Sequence, residues 1–144
     1  MRIFLDANIL FSAAKSDGAV RRLLVILRRA GHECWADPYV VEEARRNLTL
    51  KLPDSPESPE SELRHLRIAP RHIVDAVMAA SLPVAEKDRP VLAAAIRLQC
   101  SAFLTGDRTH FGALFGKALH GVTIHSPASI AAAFLSGNLP RHSL

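Results

Sequence analysis

The sequence predicts an α/β fold in which a mostly parallel sheet is covered by helices on both faces. Three observations point to it. Short apolar runs of strand length alternate with longer segments of helical periodicity along the chain. Helix-opening signals, Asp37-Pro38, Asp88 and Ser126-Pro127, introduce three of those segments. The 144 residues, 49% of them hydrophobic, are enough for one sizeable core and too few for two, so residues 1–144 are expected to form a single domain.

Ile3-Phe4-Leu5 is a strand-length run ending at Asp6, and Val20 to Ala30 then carries helical spacing that stops at Gly31. Glu33-Cys-Trp-Ala36 reads as a second strand, and Asp37-Pro38 opens a helix over Tyr39 to Leu50. Between Pro53 and Glu62 there are three prolines and no apolar residue, which predicts a surface loop without a share in the core. Beyond it come a short helix from Glu62 to Leu66, a strand at Arg67 to Ala69 and a helix from His72 to about Ala80. Asp88 to Gln99 reads as a capped helix and Ala102-Phe-Leu-Thr105 as a strand ended by Gly106-Asp107. A short helix around His110 to Phe115, a strand at Val122 to His125 and a last helix from Ser126-Pro127 to Leu135, stopped by Gly137, complete the alternation.

The net charge of +4 and pI near 9.6 exclude the acidic, core-poor composition of disordered chains. Asp54, Glu57, Glu60 and Glu62 are concentrated in the proline-rich loop, leaving 18 basic against 10 acidic residues elsewhere. Fourteen of the cations are Arg, whose planar fork binds phosphate bidentately, although GC-rich coding produces the same preference. Cys34 and Cys100 have neither a CxxC partner nor nearby ligand histidines, so buried reduced thiols are expected rather than zinc or a disulfide. The start Met-Arg-Ile-Phe-Leu-Asp is not a signal peptide, and no run approaches a membrane span, which predicts a soluble cytoplasmic protein without a membrane partner.

In open parallel sheets the ligand crevice lies at the carboxyl ends of the strands. Asp6 and Asp107 each stand at such an end, and Asp88 opens a helix packed on the same sheet. On the helix after Asp37, Val40, Val41, Ala44 and Leu48 share one apolar face; Glu43 borders it more closely than Glu42, and Asn47 lies on Glu43's side. Clustered carboxylates require a compensating cation, and all-oxygen ligands suit Mg²⁺ or Mn²⁺. Asp6, Glu43, Asp88 and Asp107 are therefore candidate metal ligands and catalytic residues, with Asn8 and Thr105 as polar neighbours that orient ligands or substrate. Ordinary roles stand beside these: Asp88 and Asp107 as helix caps, Glu43 as a solvated acid, Asn8 and Thr105 as partners for local backbone. Asp6 has little capping duty to perform in this reading. Asp37 is read as an N-cap, His110 as a histidine to watch beside Asp107, and Arg21, Arg22, Arg28 and Arg29 as a solvated flank able to steer an RNA backbone.

Taken together, Ile3-Phe-Leu-Asp6-Ala-Asn8, the acid in Val41-Glu-Glu43-Ala, Lys87-Asp88-Arg-Pro and Leu104-Thr-Gly-Asp107 with His110-Phe111 resemble the PIN-domain nucleases, closest in length to the VapC-like bacterial toxin branch. The correspondence runs in order over residues 1 to about 130. It implies a three-layer α/β/α domain whose acids, here Asp6, Glu43, Asp88 and Asp107, bind one or two Mg²⁺ or Mn²⁺ ions and cleave RNA, with Thr105 and Asn8 at the family's supporting polar positions. It also implies a homodimer and, for a toxin, a small cognate antitoxin. Two departures stand out: the loop at 53–62 is outside the common pattern, and Thr109-His110 replaces the further acid of some members.

Two rival classes remain open. An aspartyl-phosphate phosphatase also starts with an apolar strand ending in Asp, but its pattern places a second Asp where this chain has Asn8. A non-catalytic RNA- or protein-binding module on the same fold would lack a metal ligand, and none is lacking. The acidic loop is expected to reduce non-specific nucleic-acid contact or to receive a basic partner segment.

Overall fold

Strand-length apolar runs can be continuously apolar only where a sheet is buried on both faces, and that is how they are used here. The computed structural model describes residues 1–54 and 58–139. The strands are β1 (Arg2–Leu5), β2 (Glu33–Ala36), β3 (Arg67–Ile68), β4 (Ala102–Leu104), β5 (Ala118–Leu119) and β6 (Val122–His125), in the spatial order β3-β2-β1-β4-β6-β5. All neighbours are parallel except β5, which runs antiparallel to β6. β1 is central, with Phe4 opposite Trp35 on one side and Phe103 on the other.

Helices cover both faces: α1 (Ala7–Lys15), α2 (Ala19–Arg29), α3 (Pro38–Lys51), α4 (Glu60–Leu63), α5 (Ala76–Ala80), α6 (Arg89–Arg97), α7 (Arg108–Phe111) and α8 (Pro127–Leu135). Alternate residues of β1 and β4 point to opposite layers. Phe4 and Phe103 stack at 6.2 Å and join Val40, Ala44, Leu92 and Phe111 on one face. Ile3, Leu5 and Leu104 meet Leu24, Leu27 and Ile130 on the other. Each such large side chain contributes roughly 1.5–3 kcal/mol on burial. Cys34 and Cys100 are buried and free, and burial pushes their thiols up to about 11 and about 12. Among the described residues no helix is long and apolar enough to cross a membrane.

Several sequence expectations need correction. The sequence pattern does not reveal helix α1: its buried face of Ala7, Ile9, Leu10, Ala13 and Ala14 is built largely of small residues and interrupted by Asn8 and Ser12, which blurs the periodicity. Its N-cap is Asp6, so that residue does have a capping duty. The stretch 53–62 is not wholly a surface loop, since α4 begins at Glu60 and Glu62 is buried; residues 55–57, Glu57 among them, lie outside the described residues. Helix α5 starts at Ala76 rather than His72, because the Asp75 side chain accepts from Val77 and Met78 N–H and sets the boundary there. The two-residue β5 was too short to show a period. It is joined to β6 by His120-Gly121, whose φ values of 49° and 81° fit a two-residue hairpin turn.

The flank of α2 is also less solvated than expected. Arg21 turns inward, donating to the Ala13 and Ala14 carbonyls at 2.7 and 3.1 Å and pairing with Glu62 at 3.4 Å, while Arg28 is half-buried; Arg22 and Arg29 are exposed.

Candidate active site

Topology locates the crevice. From β1 the chain builds outward through β2 and β3 on one side, then returns to place β4 and β6 on the other. The switch in direction falls between β1 and β4, where parallel sheets open a cleft at the strands' carboxyl ends. Asp6 follows β1 and Asp107 lies just beyond β4. Asp6, Glu43, Asp88 and Asp107, supplied by four separate parts of the chain, line one cavity of about 120 Å³. Asn8, Tyr39, Asn47 and Lys87 share its walls.

Asp6 is the most enclosed acid of the four. Its Oδ1 accepts from Ala7 N–H at 2.8 Å, and its Oδ2 accepts from the Thr105 hydroxyl at 2.8 Å and from Asn8 Nδ2 at 3.1 Å. Thr105 in turn accepts from Asn8 Nδ2 and from Asp107 N–H, which uses its full hydrogen-bonding capacity. Asn8 Oδ1 accepts from Gly106 N–H at 2.7 Å. A Cβ at position 106 would stand 3.3 Å from that oxygen, so glycine suits the close approach. Thr105 and Asn8 thus tie the end of β1 to the end of β4 and hold the Asp6 carboxylate in place.

The electrostatics record the crowding of like charge. Burial pushes the Asp6 carboxyl up to about 6 against the lowering bonds from Thr105 and Ala7, and Glu43 and Asp88 add to the rise. Asp88 is also raised, chiefly by burial, with Asp107 contributing and His110 and Lys87 opposing. Asp107 goes the other way: burial would raise it, but the bonds from His110 prevail and lower it. His110 Nδ1 lies 2.5 Å from Asp107 Oδ2, and His110 N–H donates to Oδ1 at 3.0 Å.

The ordinary roles divide among the four acids. Asp107 does cap α7. Asp88 stands at the start of α6 but makes no capping bond; its Oδ2 is buried without a hydrogen-bond partner, 4.0 Å from His110 Nδ1. Glu43 is half-buried at the cavity, whereas Glu42 is exposed and pairs with Arg71 at 2.5 Å. Asp37 is an N-cap, accepting from Val40 N–H at 2.9 Å. Lys87 and Tyr39 are the cavity residues that sequence reasoning missed; adjacency to Asp88 was a usable signal for Lys87, and nothing local marks Tyr39.

This donor set fits a divalent cation. It consists of carboxylate oxygens, one of them buried and unpartnered, in a cavity where four acids face one lysine. Among the described residues no three such side chains are drawn together closely enough to chelate an ion.

Comparison with known proteins agrees with the architecture. The chain is similar in fold to a chain in the crystal structure of VapBC2 from Rickettsia felis bound to a DNA fragment from their promoter, with a TM-score of 0.59 and 15% identity over 88% of this chain and 98% of that one. No curated protein sequence matches. A sequence model of the PIN domain matches residues 2–109, a span that contains all four acids, Asn8 and Thr105, and the chain therefore belongs to the PIN-domain family.

Proposed function

We propose that the protein is a divalent-metal-dependent endoribonuclease that hydrolyses phosphodiester bonds of single-stranded or structured RNA, and that it is the toxin of a toxin–antitoxin pair. The observation that carries the nuclease reading is the convergence of Asp6, Glu43, Asp88 and Asp107 on one cavity at the switch point of the sheet, with Asp88 Oδ2 left unpartnered. Membership of a family whose members are generally nucleases supports it. The fold shared with VapBC2 supports the toxin role and a small antitoxin as partner. A homodimer, Mg²⁺ or Mn²⁺ as cofactor and a cytoplasmic location complete the proposal.

In this reading the four acids would hold the metal, with Thr105 and Asn8 aiming the Asp6 carboxylate through the bonds described above and Thr105 opposing the upward push of burial. When bound, one or two divalent ions supply charge neutralisation and Lewis acidity at the phosphate. Lys87, on the cavity wall, meets the non-bridging oxygens of the substrate, and Arg22 and Arg29 add to a basic exterior that attracts the backbone. His110 holds Asp107 through both carboxylate oxygens. The phosphatase alternative loses ground, because Asn8 is bonded to Asp6, Thr105 and Gly106 as a positioning amide.

The test is cleavage of single-stranded RNA, duplex RNA and DNA with Mg²⁺ or Mn²⁺ and with EDTA, alongside Asp6→Asn. Cutting of RNA that needs both metal and Asp6 is the expected result. Cutting by Asp6→Asn at the parent rate refutes the assignment, and absence of both cutting and metal binding favours the non-catalytic binding module.

A further inference from the structure

A second and larger cavity, about 440 Å³, adjoins the acid cavity, and Tyr39 lines both. Its floor is apolar, formed by Met78 of α5 and by Pro90, Ala93 and Ala94 of α6. Its charged and polar groups are the cations Arg71 and Arg97, the carboxylates Asp37 and Asp75, of which Asp75 caps α5, and His72. Helices α3 and α6, of 14 and 9 residues, both begin here, which adds partial positive charge at the same mouth.

We infer that this cavity is a nucleobase pocket, which takes one unpaired base of the substrate strand next to the phosphate held at the acid cavity. The inference rests on the nuclease reading and adds to it where the strand lies and how it is selected. The acid cavity, at about 120 Å³, suits a phosphate with its ions, whereas the larger one falls in the usual range for a small organic ligand. Tyr39, 43% exposed, offers a ring face for stacking at the junction. Asp37 can accept from an exocyclic amino group, as carboxylates do from cytosine. Arg97 meets a flanking phosphate, while Arg71 is held by Glu42 at the rim, and burial, which pushes the Asp37 carboxyl up, is opposed by both arginines. A paired base cannot enter such a pocket, so the consequence is cleavage beside an unpaired base, with bases that carry an exocyclic amino group favoured over uracil.

The decisive experiment measures binding of a six-nucleotide single-stranded RNA in EDTA, intact and with one abasic position moved along it. The parent protein is compared with Ala94→Phe, which fills the floor, and Arg97→Ala, which alters an exposed rim residue. One abasic position is expected to weaken parent binding by about tenfold, the size of one stacked base. Ala94→Phe should bind the intact strand as weakly and lose the abasic effect, and with Mg²⁺ its cleavage should lose base preference. If Ala94→Phe does not fold, Arg97→Ala decides, with a severalfold loss of intact-strand affinity expected. Parent-like affinity and abasic dependence in a folded Ala94→Phe, or no abasic dependence in the parent, overturns the inference. So does loss of binding to a protein partner with RNA binding intact. Failure of the nuclease reading would look different: no cleavage by the parent in Mg²⁺ while the abasic scan still resolves one position.

Discussion

Helix α1 has a buried acid at each end, and the two are handled in opposite ways. Near its C-terminus Glu62, 6% exposed, pairs with Arg21, whose guanidinium also caps the Ala13 and Ala14 carbonyls. At its N-terminus Asp6, 9% exposed, has no cation among its hydrogen-bond partners and faces Glu43 and Asp88, both of which disfavour its charge. Glu62 also keeps one oxygen, Oε2, without a hydrogen bond, so enclosure and an orphan atom alone do not separate the two places. What separates them is compensation. A buried acid beside an arginine holds two elements together, while buried acids beside one another wait for a cation from outside.

That contrast can be broken by experiment, beginning with the largest effect. Asp6→Asn removes the central carboxylate and should lower RNA cleavage by at least about a hundredfold, since the metal's contribution is worth several kcal/mol. Circular dichroism should show the parent fold. At the other end of α1, Arg21→Met leaves Glu62 uncompensated and frees two carbonyls. Urea unfolding should show a loss of about 3 kcal/mol, with cleavage by the folded fraction unchanged. An equal effect of this variant on catalysis would erase the distinction between the two ends.

Metal should reach only one end. At a hundredfold excess over its dissociation constant, Mg²⁺ should raise the unfolding free energy of the parent by about 2.7 kcal/mol and that of Asp6→Asn far less. In EDTA the pH dependence has a definite sign. The Asp6 carboxyl sits at about 6 in the folded chain against 3.8 for the ordinary group, so the folded state holds the proton more tightly. Stability should rise as pH falls from 7 through 6 toward 4, by up to about 3 kcal/mol from this group, and saturating Mg²⁺ should flatten the rise. The smallest effect concerns Asp88, whose carboxyl is raised and makes no capping bond. Asp88→Asn should leave the metal-free protein as stable or more stable, within about 0.5 kcal/mol, while weakening metal binding measured by calorimetry.

Much of this was legible in the chain because the signals were local. Glu33–Ala36 and Val122–His125 were readable as strands from short apolar runs bounded by turn residues, and Pro38 and Pro127 marked helix starts that the structure keeps. Glu43 was separable from Glu42 because three or four apolar neighbours define a helix face. Helix α1 was not legible, since alanines provide little contrast, and neither was Glu62, whose burial depends on an arginine 41 positions earlier. The acidic stretch reads in sequence as a loop without a share in the core; with Glu60–Leu63 forming α4 and Glu62 buried, removing it would cost stability.

The sequence by itself determined the kinds of element, their order and the acids that end or border them, because periodicity, caps and strand-ending polar residues act over a few neighbours. Only the tertiary structure decided which of those acids meet. The strand order sets the ends of β1 and β4 side by side, so that Asp6 and Asp107 line one cavity, lets Thr105 and Asn8 lock together over 97 positions, and brings Tyr39 between two cavities. Whether a buried carboxylate is paired or crowded is a property of space, where the energy of a charge depends on what lies within a few ångströms and not on what lies beside it in the chain.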